Sequence, residues 1–469
     1  MILPEPRRDI PKGHEDAHLD FREVLRSLRG FDPDTYQKAT TAIKASEWRI
    51  MLEAIKESKP ELYSRMSEMQ AAYRAGGEVD AEQLRQTARE LEQIYKCGEG
   101  LLSVAPPQKT TVVIHLRHPE VITGLPKAIM HQSIVLAKEF GGRRKWNFGF
   151  DNRSFTVDLD PAAIEELRKH PDVKEVEVPG IATILANPTY NPAGVNTDWG
   201  VTRLPAGIPW GLTPPFKGER IKVCVIDTGI GKSHQAFWNS EREVYKGGWN
   251  FVGNNNNPED DHDHGTWCCS IIAGQHNGIL GSYRGIAPDV DLYACKVLDA
   301  KGSGSLADVA AGIDWCVENG IDIISLSLGA SGGSTAMETA CNYAWYSGIL
   351  LVVAAGNTGP GDDTVNWPAR YMSCIAVAAV DFEEYVAPFS SRGAGGERAA
   401  AGVGITGALM GFNYTNYAVP GSNGRYFSAS GTSAACPHVA GAAALIKSWY
   451  PLATNTELRQ LLRDHLRDI

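Results

Sequence analysis

From residue 221 onward, short apolar runs alternate with longer stretches whose apolar positions recur at helical spacing. The runs at 221–227, 292–298, 321–326, 349–354 and 375–379 read as strands, and 264–273, 305–318 and 334–347 as helices. That alternation predicts an α/β fold, a mostly parallel sheet with helices on both faces. A small-residue loop then ends at Ser433, and an Ala-rich apolar run continues through Ile446. It reads as a turn feeding a buried helix, with Ser433 and Pro437 in the first turn, where a missing N–H costs little. Gly431 and Gly441 remove side chains where backbone or a neighbouring helix must come close. A terminal helix is expected over 454–466, capped by Thr454 or Asn455.

Upstream the pattern changes twice. Residues 1–17 are polar and charged and read as a mobile arm. From 18 to 97 the spacing is helical, as in Trp48, Met51, Leu52 and Ile55, or Leu84, Ala88, Leu91 and Ile94. Asp80, with Gln83 three residues on, reads as the N-cap of the last helix. This defines a helical N-terminal extension, 1–105, without a chemical motif. Residues 106–190 read as β-α-β-β-α-β: strand 111–116, helix 127–140, a hairpin of 145–150 and 154–158 around Asp151-Asn152, helix 161–170 and strand 173–178. That order is a ferredoxin-like split βαβ unit. Gly141-Gly-Arg-Arg-Lys145 reads as a solvated turn. A Pro/Asn/Gly-rich connector follows at 181–219, able to run through a cleft and be cut, and the last domain is placed at 191–469.

Composition narrows the classes. A chain of 469 residues accommodates two or three domains. A net charge of −10 argues against nucleic acid as a main partner. There is no run of about 18 apolar residues, so no transmembrane helix and no membrane partner are expected. The N-terminus lacks an apolar signal core, which predicts a cytoplasmic protein, or a secreted one if the native start is missing. Nine cysteines is an odd count, and Cys224, Cys295, Cys316, Cys341 and Cys374 lie in apolar segments. That suits buried thiols in a reducing compartment better than a disulfide framework.

Four polar residues stand where this fold exposes chemistry. Asp227 ends a buried strand in Val225-Ile-Asp-Thr-Gly, on the face where open α/β sheets bind ligands. His264 opens a helical run in Asp263-His-Gly-Thr. Asn357 follows a strand in Ala354-Ala-Gly-Asn, and its amide N–H is a neutral donor for a developing oxyanion. Ser433, at a helix N-terminus, can present its hydroxyl while its own N–H points at negative charge. A weakly acidic hydroxyl needs a base, the base an orienting anion, and the oxyanion donors. The cluster Asp260-Asp-His-Asp-His264 also admits a metal reading, a metal-dependent hydrolase.

The string Gly431-Thr-Ser-Ala-Ala-Cys-Pro-His-Val-Ala-Gly441 resembles the nucleophile motif of the subtilisin-like serine proteases, the subtilases. Asp227-Thr-Gly, His264-Gly-Thr and Ala355-Gly-Asn357 resemble their other motifs, in the subtilase order Asp, His, Asn, Ser. Cys436 departs from that pattern. The resemblance implies a serine endopeptidase with Ser433 as nucleophile, His264 as base, Asp227 as its orienting anion and Asn357 in the oxyanion hole. No cofactor is implied for catalysis, and peptides or proteins are the implied substrates. Residues 155–178 resemble the family's inhibitory propeptide, which implies a zymogen carrying its prodomain as an intramolecular inhibitor and activated within 181–200. Gly302-Ser303-Gly304 and Ser327-Leu328-Gly329 resemble the substrate-pairing edges, with the primary pocket between 327–330 and 354–358. Asn366 is implied at its floor, a hint toward smaller side chains. Gln275-His-Asn277-Gly-Ile-Leu resembles a calcium loop but departs from it in length, so a structural calcium near Asn277 is an open expectation. Cys268 sits where proteinase-K-like members carry a cysteine beside the catalytic histidine. His262 then reads as a surface residue and His438 as a packing residue. The rival reading from another class is a pseudoprotease, a regulatory binding protein whose prodomain stays docked.

Overall fold

The computed structural model describes residues 60–74, a few positions between 80 and 87, and most of 109–465. Within that last range the gaps are 118–132, 150–153, 186, 189–198, 204–208, 210, 212–214, 239–241, 276–282, 394–397, 420–421 and 424. The chain forms two compact units, Met1–Gln108 and Lys109–Ile469. In the first, the helix Pro60–Arg74 begins on its proline and buries Leu62, Met66 and Met69, one face at helical spacing. The Gln83 N–H donates to Asp80 Oδ1 at 3.1 Å, the cap the sequence suggests. The rest of the predicted 18–97 helices lies outside the described residues.

The second unit opens with an antiparallel sheet of β1 (Thr110–Leu116), β2 (Arg143–Asn147), β3 (Ser154–Leu159) and β4 (Val173–Glu177). Its order is β2-β3-β1-β4, with helices at 133–139 and Pro161–Leu167 in the connections. This is the split βαβ arrangement. Side chains alternate along β1. Val112, Ile114 and Leu116 pack in the small core with Phe155, Val157 and Leu167. Val113 faces the other way, into the core of the large sheet, together with Phe148.

The connector supplies two strands, β5 (Ile181–Ile184) and β6 (Asn187–Pro188). The large sheet contains β7 (Lys222–Asp227), β8 (Tyr245–Asn250) and β9 (Asp291–Lys296). Between β9 and the next sheet strand lies the short β10 (Ser303–Ser305). β11 (Ile323–Leu326) leads directly into the short β12 (Leu328–Gly329). β13 (Leu350–Ala354), β14 (Cys374–Val380) and β15 (Arg398–Ala401) complete the sheet. All seven strands run parallel in the order β15-β14-β13-β11-β7-β9-β8. β16 (Ile405–Ala408) and β17 (Tyr426–Ser430) form an antiparallel pair that β6 extends.

The period of two decides which helices cover which face. Val223, Val225, Ile323 and Val352 pack with Cys268, Ile272, Ala435 and Val439, from the helices His264–Ala273 and Thr432–Trp449. Cys224, Ile226, Ile324 and Val353 pack with Val309, Ile313, Met337 and Ala340, from Leu306–Glu318 and Thr335–Tyr346. The last two helices start where expected, on Ser305 and Ser334, whose hydroxyls cap the N–H groups of Ala307 and Met337. The eight described cysteines are all free and buried. No helix among the described residues is long and apolar enough to cross a membrane.

Candidate active site

Strand β7 delivers Asp227 to the C-terminal edge of the sheet, between β11 and β9. Its carboxylate is wholly buried, and Oδ1 accepts from the Thr228 N–H (2.7 Å) and His264 Nδ1 (2.8 Å). His264 is the first residue of its helix. Gly265 is what lets that helix meet the strand end, because a Cβ there would lie 2.2 Å from the Gly229 carbonyl oxygen. The imidazole is buried, and its Nε2 has no hydrogen-bond partner among the described residues. The Trp267 ring lies 5.7 Å away and Cys268 Sγ is 3.9 Å from His264 Nδ1. Burial, and secondarily the Asp227 charge, push the Cys268 thiol well above its ordinary value.

Ser433 is the second residue of the Thr432–Trp449 helix. Its hydroxyl donates to the Ser327 carbonyl (2.9 Å) rather than to His264, and the Ser327 hydroxyl donates back to the Ser433 carbonyl (2.9 Å). Pro437 corrects an expectation here. It sits inside the helix, beyond the first turn. Its missing N–H is the one that would bond the Ser433 carbonyl four residues earlier. That carbonyl is therefore open to Ser327 and to the Cys268 thiol at 3.6 Å.

Two donors converge on one oxygen. Asn357 Nδ2 donates to the Leu185 carbonyl at 2.6 Å and the Ser433 N–H to the same atom at 3.3 Å. The Asn357 amide is oriented from behind, since its Oδ1 accepts from Thr432 N (3.0 Å) and Oγ1 (2.9 Å). Strand β5 lies antiparallel between β10 and β12. Thr183 and Ala182 face Ser303 and Gly304, while Ile184 and Thr183 face Leu328 and Gly329. The Ile184 N–H donates to the Gly302 carbonyl at 3.1 Å. Thus both edges singled out in the sequence pair with the connector. Leu185 is 8% exposed, with Cδ1 against Gly329. Asn366 lies beside it, its side chain between the backbones of Gly329 and Gly356. Ala182 is fully buried, whereas Ile181 and Thr183 are exposed. Leu185 and Ala182 are positions the sequence reading did not single out. The only signal was a short apolar run, Ile181-Ala-Thr-Ile-Leu185, in an otherwise polar connector.

The acidic cluster is no set of open ligands. Asp260 accepts from Thr228 Oγ1, the N–H groups of His262 and Asp263, and both N–H and Oγ1 of Thr266. Asp261 pairs with Lys296 at 2.5 Å, and the Asp263 carboxylate is taken up by backbone amides of 410–414. His262 is not at the surface as expected but 5% exposed, packed against Tyr414. Among the described residues, two side-chain groups are close enough to share a metal ion: Asp227–His264–Cys268 and the core thiols Cys224, Cys295 and Cys316. The first is already joined by the Asp227–His264 hydrogen bond. Asn277 lies outside the described residues.

His438 packs in the interior of its helix, with Nδ1 donating to the Ala434 carbonyl at 2.8 Å. Burial pushes its imidazole down from 6.5 to about 4. The unfolded chain therefore binds this proton more readily. The folded state loses stability as pH falls from about 6.5 toward 4, by up to about 3 kcal/mol from this group. Denaturant unfolding at pH 7 and pH 4.5 should show a smaller acid loss in His438→Gln than in the wild type. Equal losses would refute the assignment.

The Subtilase family model matches residues 218–468. A thermostable alkaline protease from Halalkalibacterium halodurans is 41% identical over 304 residues, 65% of this chain and 75% of that protein. Alkaline elastase YaB from Bacillus sp. (strain YaB) is 38% identical over 309 residues, 66% and 73% of the two chains. Subtilisin E from Bacillus subtilis (strain 168) is 38% identical over 327 residues, 69% and 78%.

Proposed function

The chain belongs to the subtilase family, a subtilisin-like serine protease, and on that premise we propose that it is a zymogen that cuts its own connector between Leu185 and Ala186. One observation carries this reading: the Leu185 carbonyl already lies between the Asn357 amide and the Ser433 N–H. These are the donors an oxyanion hole requires. The strand leading to that carbonyl is paired on both sides, the mode by which an extended peptide is held for cleavage.

In this reading Ser433 Oγ turns from the Ser327 carbonyl to His264 Nε2, gives up its proton there and bonds to the Leu185 carbonyl carbon. Asp227 holds the imidazole through Nδ1 and stabilises the imidazolium. The bond to Ala186 breaks as Nε2 returns the proton to the departing amine. Water then hydrolyses the acyl-enzyme. The pocket occupied by Leu185 suits a medium-sized aliphatic side chain, and full burial of Ala182 suits a small residue three places earlier.

Contacts of the small sheet support its role as an inhibitor held in place. Lys145 Nζ bonds both carboxylate oxygens of Asp308 (2.7 and 2.9 Å), and Trp146 Nε1 donates to Asp308 Oδ1 (2.8 Å). Lys145 is thus part of a contact and not of a solvated turn. Glu177 Oε2 accepts from the Ala336 N–H at 3.1 Å, at the N-terminus of the Thr335–Tyr346 helix, where a negative charge is favoured. Burial alone would raise the Glu177 carboxyl, but hydrogen bonds from His115, Ser334 and Ala336 hold it below its ordinary value. Mass spectrometry of the incubated protein should give one fragment ending at Leu185 and one beginning at Ala186. Leu185→Asp should slow that cut at least about tenfold, since a carboxylate must be desolvated in an apolar pocket. A first cut elsewhere, or none in the wild type, overturns the reading.

A further inference from the structure

Asp263 precedes His264, is fully buried and holds a backbone φ of 95°. It occupies the N-cap position of the His264–Ala273 helix, yet its side chain caps nothing there. The carboxylate turns to 410–414 instead. Oδ1 accepts from the N–H groups of Met410 (3.1 Å), Gly411 (2.9 Å) and Phe412 (3.2 Å). Oδ2 accepts from Phe412 (2.9 Å), Asn413 (2.7 Å) and Tyr414 (3.1 Å). Five consecutive amides converge on one anion, as in a backbone nest. Among the described residues no cation pairs with it. A buried carboxylate on a left-handed backbone is an expensive way to fasten a loop, and such strain concentrates at functional sites.

The fastened segment reaches both the histidine and the peptide-pairing edge. Asn413 Nδ2 donates to the His262 carbonyl (3.1 Å) and to the Ala300 carbonyl (3.4 Å). Ala300 lies in the turn closed by the Gly302 N–H on the Asp299 carbonyl (2.9 Å), which leads into the edge that pairs with β5. The Tyr414 ring stacks on Phe427 at 4.8 Å and meets His262 edge-on at 5.4 Å. The backbone at Gly302 sits against both His262 Nε2 and the Ile184 side chain.

We propose that Asp263 is a positioning residue for peptide hydrolysis: it locks 410–414 onto the start of the His264 helix. The base and the Gly302–Gly304 edge are then held in one fixed relation. The inference rests on His264 and Ser433 acting as proposed above. It extends that reading by naming what keeps base and substrate strand in register, a relation whose loss by an ångström is costly to rate.

The test is steady-state hydrolysis by the matured enzyme of a peptide with the sequence of 179–190, which contains the Leu185–Ala186 bond, with concentrations set by fluorophosphonate titration of Ser433. Asp263→Asn turns an amide donor toward five donors. It should lower kcat/KM per titrated site by about tenfold or more, with both kcat and KM affected. Asn413→Ala cuts only the tie to Ala300 and His262. It should raise KM several-fold and leave kcat within about twofold. A purely structural role would lower the melting temperature or the titrated fraction and leave the constants per site unchanged; that result overturns the proposal. If Asp263→Asn does not fold, Asn413→Ala decides alone, and an unchanged KM overturns it. Failure of the wild type to take the fluorophosphonate would instead tell against Ser433 as nucleophile, and the positioning role would fall with it.

Discussion

Ser433→Ala is expected to remain a single full-length chain under conditions in which the wild type should cut itself at Leu185, its self-cleavage slower by about 10⁶, a magnitude taken from a subtilisin. The substitution removes one atom from a buried site. The hydroxyl donates to the Ser327 carbonyl, and that single bond is lost. The bond from the Ser327 hydroxyl is accepted by the backbone carbonyl of residue 433, which the substitution keeps, and survives. So does the Ser433 N–H directed at Leu185. The fold and the docked connector should therefore be unchanged, with stability altered by about 1 kcal/mol. Residual hydrolysis comes only from the remaining donors and from binding. Intact mass measured over days checks both the missing cut and the residual rate. If the purified variant is processed in isolation as fast as the wild type, the cut is not autocatalytic. The variant should also trap the uncut chain, with its docked strand excluding added peptides from the site.

Much of this arrangement could be read before any coordinates. The apolar runs ending in Asp227 and Leu326 are buried on both faces, and such strands have no polar alternation to obscure them. The outer strands β8 and β15 went unread for the converse reason. Tyr245–Asn250 is half-buried and carries two glycines, and Arg398–Ala401 has no branched apolar residue, so neither makes a hydrophobic run. Strand β17 read as a loop because Ser428, Ala429 and Ser430 are small; its pairing with β16 is made by backbone. The four groups that the motifs single out each stand at or just beyond a strand end or at a helix start. They meet in one cleft. Asp227 bonds His264, the Cys268 thiol bridges from His264 Nδ1 to the Ser433 carbonyl, and Ser433 and Asn357 share Leu185. What stayed hidden were partners distant in sequence. Lys145 finds Asp308 and Asp263 finds 410–414, and no local pattern encodes either meeting. His262 was misplaced for the same reason, since Tyr414 covers it from a segment about 150 residues away.

Asn357→Leu is expected to slow cleavage by about 10²–10³ in kcat, again a magnitude from a subtilisin, equivalent to about 2.7–4 kcal/mol of transition-state stabilisation. The Asn357 amide has two ends with separate duties. Its oxygen receives Thr432 N and Oγ1, which fixes the side chain, and its nitrogen faces the Leu185 carbonyl. The bond to a neutral carbonyl is modest, but it strengthens as that oxygen gains charge, while the Ser433 N–H alone remains in the variant. The loss should thus fall on the rate and not on binding, because the connector is held by its pairing with β10 and β12. The full-length chain offers a measurement in which the two cannot be confused. Its connector is already docked, so the proposed self-cleavage at Leu185 should be first-order and carry no KM. The ratio of wild-type to Asn357→Leu processing rates, read by intact mass against time, gives the transition-state term directly. Thr432→Val should give a smaller loss, since it removes the hydroxyl that orients the amide and keeps the Thr432 N–H in place. A processing rate for Asn357→Leu within about twofold of wild type would mean that the carbonyl is polarised by something other than this side chain.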